Sequence, residues 1–292
     1  MRRWRIPIAL LLVYALVICF GGLRDKLILH PRTGWIRVVG AQSIRFARSD
    51  GGTTDAFVAR SPGCRDRQPQ AFVLEFTGNG SRAEEAAAAV AFLWQDRPVE
   101  AITVNYPGYG GSTGPASMDS MPAMELDAFD SVNKLAAGRP VIVSGYSLGC
   151  TAALYVAANR PAAGLILQNP PPLRQLIIGS FGWWNLWLGA VPIALQIPSE
   201  FDSIANARKC HERAVLISSI HDTYVPPAYH KMVFDAYAGP HFSILLNGNH
   251  GTSPDGSPEY PTALDWLWQQ LHLPRVPPST APTTTPTHEF AG

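Results

Sequence analysis

Gly145-Tyr146-Ser147-Leu148-Gly149 sets one serine between two glycines, directly after an apolar run and directly before an Ala-rich segment of helical composition. A strand that turns sharply into a helix needs small residues at the corner, and a side chain held there is pushed out of the fold. G-x-S-x-G in that setting is the pattern of a nucleophile elbow, although glycines at such a corner can also serve packing alone. A serine hydroxyl is a weak nucleophile near neutral pH; it needs a base, and the base needs an orienting acid. Beyond the last two apolar runs come "SIHDTYVP", offering Asp222, and "LNGNHGT", offering His250. Ser147, Asp222 and His250 then stand in chain order as nucleophile, acid and base. Asp222 could instead cap a helix, and His250 could be a surface-loop histidine. His221 competes with His250 but precedes the acid, and His211, His230 and His241 read as structural. Negative charge developing on an attacked carbonyl oxygen would need backbone N–H donors. Leu148, next to the serine, supplies one. Asn79, in the Gly78-Asn79-Gly80 turn after an earlier apolar run, is the choice for the second, against an ordinary strand-to-helix turn.

These residues need elements that bring them to one place. Short apolar runs recur at 71–76, 99–104, 140–144, 164–167, 214–218 and 242–246, with helical composition at 82–95, 121–137 and 148–159 between them. Strands alternating with helices imply an α/β architecture, a mainly parallel sheet covered on both faces, with sites at the carboxyl ends of the strands. Two earlier strand candidates, 43–47 and 54–59, flank Asp50-Gly51-Gly52, a hairpin signal. Between 167 and 214 the chain spends more than a plain crossover, including "FGWWNLWLGAVPIALQIP". Trp183, Trp184 and Trp187 fall on one side of a helix by i, i+1, i+4 spacing. They predict a short helical cap at about 170–210, whose aromatics pack on the domain, line an acyl pocket or dip into a membrane interface. Tyr146, Trp183, Trp184 and Trp187 are the candidate substrate-binding side chains.

The chain has 292 residues, 47% of them hydrophobic, and a net charge of +1. That is ample for one large core and too nearly neutral for an electrostatic nucleic-acid binder. Arg2, Arg3 and Arg5 precede an uncharged run from 6 to 23. Residues 1–23 therefore read as a signal anchor or transmembrane helix, with a cleaved secretory signal or a buried helix as alternatives. The positive-inside rule puts the N-terminus in the cytoplasm and the remainder outside, secreted if the segment is cleaved. Residues 24–272 form the main domain. Residues 273–292, dense in Pro and Thr, read as a disordered tail. Cys19, Cys64, Cys150 and Cys210 show no C-x-x-C spacing, which argues against a zinc site and leaves a Cys64–Cys210 disulfide open. Neither phosphate-loop pattern occurs near Gly78.

Five segments together resemble the α/β-hydrolase superfamily, and within it a membrane-anchored serine hydrolase branch. They are "FTGNGSR", similar to the family's FHGNAGN-x-x-x-R; "VNYPGYGGSTGPAS", similar to D-Y-x-G-Y-G-x-S-x-G-x-P-S; "GYSLGC"; "HDTYVP"; and "GNHGT". The likeness runs from "DKLILHPRTG" to about residue 271. It implies Ser147 as nucleophile, Asp222 as acid, His250 as base, and Asn79 with Leu148 at the oxyanion hole. Thr77 stands where the family usually has His, Cys150 where many members have Gly, and Asn105 where Asp is common. The expected activity is cleavage of an ester or thioester, with a lipophilic acyl substrate favoured and neither metal nor cofactor needed. A peptidase or acyltransferase on the same triad and a non-catalytic membrane-tethered module are the alternatives. The expected partners are a small-molecule or lipid-like acyl substrate and, through the N-terminal helix, a membrane.

Overall fold

The two strand candidates around Asp50-Gly51-Gly52 pair as a hairpin: β1 (Gln42–Ala47), largely exposed, and β2 (Thr53–Arg60), largely buried, are antiparallel, with Ala47 opposite Thr53. Gly51 adopts φ 82° in the turn, a conformation that glycine takes without strain. The apolar runs that follow form β3 (Ala71–Phe76), β4 (Val99–Val104), β5 (Val141–Tyr146), β6 (Gly164–Gln168), β7 (Ala214–Ser219) and β8 (His241–Leu246). They assemble into one sheet in the order β1-β2-β4-β3-β5-β6-β7-β8, antiparallel across β1-β2-β4 and parallel from β4 to β8. The computed structural model describes residues 13–14, 22–34, 36–183, 187–271 and 273.

Every residue of β3 and of β7 is buried, as expected of parallel strands covered on both sides. Side chains of β3 alternate between two cores. Phe72, Leu74 and Phe76 join the core under α3 (Met121–Ala136) and α4 (Gly149–Ala157). Ala71 and Val73 join the core under α2 (Ala83–Phe92) and α9 (Glu259–Gln270), with Trp94, Tyr260 and Leu267. A helix, α1 (Leu23–Ile28), precedes β1, and α8 (Pro227–Phe234) lies between β7 and β8.

The long connection between β6 and β7 carries α5 (Leu173–Phe181), α6 (Ala190–Leu195), a 3-10 turn at Ser199–Phe201 and α7 (Ser203–Ala207). The helix α5 ends before Trp183 and Trp187. Gly182 ends α5, and Trp187 takes the left-handed φ of 60° with its N–H donating to the Gly182 carbonyl at 2.7 Å. The Trp187 indole lies where a Cβ on Gly182 would stand, 2.0 Å from its Cδ1 and Nε1, so glycine lets the chain fold back there. Trp184 lies outside the described residues.

The disulfide left open by the sequence does not form. Cys64, Cys150 and Cys210 are buried free thiols. Cys64 sits in the turn before β3 and donates to Val99 O, while Cys210 follows α7 and faces the carbonyls of Leu154 and Asn206, so no Cys64–Cys210 disulfide exists. Among the described residues no helix is long and apolar enough to cross a membrane. Most of the N-terminal segment 1–23 and the tail beyond 273 lie outside those residues.

Candidate active site

β5 ends at Tyr146 and α4 begins at Gly149, so only two residues make the corner. Ser147 holds φ at 53°, and its N–H donates to the Gln168 carbonyl at 2.9 Å. Both flanking glycines are sterically required. A Cβ on Gly145 would come within 2.4 Å of the Gly149 carbonyl oxygen, and one on Gly149 within 1.9 Å of the Phe76 carbonyl oxygen. Close approach of strand and helix aims the serine out over the carboxyl edge of the sheet.

The other two triad positions follow β7 and β8 and meet the serine. His250 Nε2 lies 2.9 Å from Ser147 Oγ, and His250 Nδ1 lies 2.5 Å from Asp222 Oδ2. Asp222 is buried, and its Oδ1 accepts from the N–H groups of Tyr224 and Val225, each at 2.9 Å. Those bonds hold one carboxylate oxygen in place and leave the other for the imidazole. Asp222 thus combines a local turn-capping role with contact to His250.

The His250 loop is fixed through its own carbonyl. Tyr146 Oη donates to it at 3.0 Å and Asn169 Nδ2 at 2.9 Å. Asn169, fully buried with φ 55°, also accepts from the Ser219 N–H at 2.8 Å, tying the ends of β6 and β7 to the histidine. Sequence reasoning missed Asn169. Its signal was an asparagine at a strand end, the residue type that most readily adopts a positive φ apart from glycine. Tyr146 rests its ring 5.2 Å from the His250 ring, with Tyr224 5.4 Å away on the same imidazole. Gln168 Nε2 braces the loop further through the Thr252 carbonyl at 2.8 Å.

The loop after β3 approaches the same point. A Cβ on Gly78 would lie 2.9 Å from the Tyr146 ring and 3.5 Å from Ser147 Cβ. Among the described residues neither the Asn79 nor the Leu148 amide N–H has a hydrogen-bond acceptor, which leaves two donors beside the serine. The Asn79 side chain is tethered to the segment after α1. Its Oδ1 accepts from the His30 N–H at 2.9 Å and from Tyr109 Oη at 3.0 Å, and its Nδ2 donates to the Ile28 carbonyl at 2.5 Å. The neighbouring departures from the family pattern have local explanations. Asn105 Oδ1 accepts from the Ala83 N–H at the start of α2 while its Nδ2 donates to Glu84 Oε2, a bond no carboxylate could donate. Cys150 Sγ reaches the Gly145 and Gln168 carbonyls, filling the elbow where glycine would leave space. Thr77 accepts from Tyr106 Oη through its carbonyl, and its hydroxyl is buried without a partner.

Beneath the elbow a cavity of about 40 Å³ is lined by Glu75, Ser144, Tyr146, Gln168 and Tyr260. Burial pushes the Glu75 carboxyl up to about 7, opposed by the Ser144 hydroxyl. Trp183 and Trp187 are 68% and 47% exposed on the β6–β7 connection, and Leu188 and Leu195 are exposed beside them.

Eight strands in this order, with helices on both faces and a serine at the strand-helix corner, are the α/β-hydrolase fold. Residues 90–177 match a family model described as "Alpha/beta hydrolase of unknown function (DUF1057)". Solved structures agree in fold. An esterase from Pyrococcus furiosus superposes with a TM-score of 0.61 at 13% identity, covering 83% of this chain and 97% of that one. An acetyl xylan esterase from Paenibacillus sp. R4 gives 0.60 at 14%, covering 88% and 94%. Est1E from Butyrivibrio proteoclasticus gives 0.60 at 14%, covering 80% and 100%. Among sequences, an uncharacterized protein of Mycobacterium tuberculosis is 25% identical over 187 residues, a match spanning 63% of this chain and 63% of that protein's length.

Proposed function

We propose that the chain is a serine hydrolase that cleaves an ester or thioester through an acyl-enzyme. The observation that carries this reading is the unbroken line of contacts from Ser147 Oγ to His250 Nε2 and from His250 Nδ1 to Asp222 Oδ2. Ser147 Oγ attacks the acyl carbonyl while its proton passes to His250 Nε2, and Asp222 keeps the imidazole in the tautomer that can accept it. The oxyanion lies against the amides of Leu148 and Asn79. His250 then protonates the leaving alkoxide or thiolate, and in the second half it activates the water that releases the acid. That structural neighbours are esterases supports the ester class. Exposed Trp183, Trp187, Leu188 and Leu195 on the β6–β7 connection support a lipophilic acyl chain. Residues 1–23, on the strength of their uncharged run alone, serve in this reading as a membrane anchor.

A fluorophosphonate probe tests the reading. Wild-type protein is expected to label covalently and Ser147→Ala not at all, while a folded wild type that stays unlabelled would defeat it. A panel of p-nitrophenyl esters of increasing chain length then reads the acyl preference.

A further inference from the structure

Asp222 faces a second imidazole. His230, on α8, is completely buried, and its Nε2 lies 3.4 Å from the same Asp222 oxygen that His250 contacts. Its Nδ1 lies 2.8 Å from Ser218 Oγ on β7. At 3.4 Å, Nε2 has no completed hydrogen bond to any partner among the described residues. A buried donor left in that condition is destabilising, so an apolar residue would suit packing alone better. The tautomer follows from the neighbours. Were Nδ1 to carry the proton, Nε2 would turn a lone pair toward a carboxylate, so the Ser218 hydroxyl donates to Nδ1 and Nε2–H faces Asp222.

We infer that His230 is a positioning residue for the triad, a neutral N–H donor that holds Asp222 Oδ2 in register with His250 and moderates how strongly that carboxylate attracts a proton on His250. The inference rests on the serine hydrolase reading. Charged and titratable neighbours agree with it. Burial is the largest influence on His230 and pushes it down to about 4, with Asp222 opposing and His250 reinforcing, so the ring stays uncharged wherever the triad works. The remaining bonds to Asp222 come from the uncharged Tyr224 and Val225 amides. His230 and His250 therefore differ in role although they share one oxygen: the first is sealed in the core, the second partly exposed at the serine. Without the His230 donor, Asp222 would draw more of its stabilisation from a protonated His250, and the base would hold its proton to higher pH.

The test is the pH dependence of fluorophosphonate inactivation in the full chain, for wild type, His230→Leu and His230→Gln. Gln keeps a donor near the Nε2 position and Leu keeps only the volume. The acid limb of His230→Leu is expected to move up by roughly 0.5 pH unit or more, with His230→Gln within about 0.2 of wild type. An acid limb in His230→Leu that is unmoved or moves down overturns the proposal, even if the variant is less stable. Should His230→Leu fail to fold, His230→Met, which also lacks the donor, takes its place, and an unmoved limb there overturns it equally. Wild type that never labels refutes the hydrolase reading and this inference with it, whereas labelling with unshifted limbs refutes the inference alone.

Discussion

Ser147 shows how one residue can be at odds with the backbone that carries it. Its φ of 53° is a conformation that costs a side-chain-bearing residue about 1 kcal/mol and glycine almost nothing. Ser147→Gly should therefore melt higher than Ser147→Ala by a few degrees, corresponding to about 1 kcal/mol, though both lack the nucleophile. Equal melting temperatures would mean the corner is unstrained. At this scale the sequence was informative wherever chemistry forces a local pattern. The glycines at 145 and 149 are written into the pentapeptide because the helix passes within van der Waals distance of the strand. Asn169 was not legible, since its value lies in three contacts reaching residues 219 and 250. His230 was read as a structural helix residue for the same reason, as its relation to Asp222 exists only once α8 packs on β7.

At the scale of elements, the loop after β3 depends on a segment far from it in sequence. The Asn79 side chain is gripped by Ile28, His30 and Tyr109, so the chain following α1 acts as a strap on the loop that carries the proposed second oxyanion donor. Asn79→Ala leaves the backbone amide in place but releases it from the strap. The expected result is a fall in kcat of about tenfold with KM little changed, read with a short p-nitrophenyl ester. An unchanged kcat would show that the loop holds its shape alone. Strand positions follow the short apolar runs and helix positions the helical composition between them, and the hairpin turn follows Asp50-Gly51-Gly52. The β6–β7 connection resisted such reading. Its tryptophans have helical spacing, yet the turn at Gly182 and the left-handed Trp187 arise from packing of the indole on the glycine, which no periodicity encodes.

For the molecule as a whole, two of the buried carboxyls bear on stability. Glu75 and Glu125 lie under opposite faces of the sheet, and burial pushes them up to about 7 and about 8. A carboxyl whose folded value exceeds its unfolded one is ionised in the unfolded chain while still protonated in the native one. Stability is then lost as pH rises from about 4.5 through the folded value, and the loss is complete above it. Glu75→Gln removes one such penalty. It should raise unfolding free energy at pH 8 by roughly 3 kcal/mol, with little difference from wild type at pH 4, as read by denaturant titration at both pH values. A gap of the same size at pH 4 would show that packing, not ionisation, sets the difference. The order of strands has a further consequence, in time rather than in space. The proposed base stands 103 residues after the proposed nucleophile, behind the last strand of the sheet in chain order. In the mechanism proposed above, a nascent chain emerging from the ribosome thus carries an inert hydroxyl until that last strand has been made, so activity cannot begin on a half-made protein.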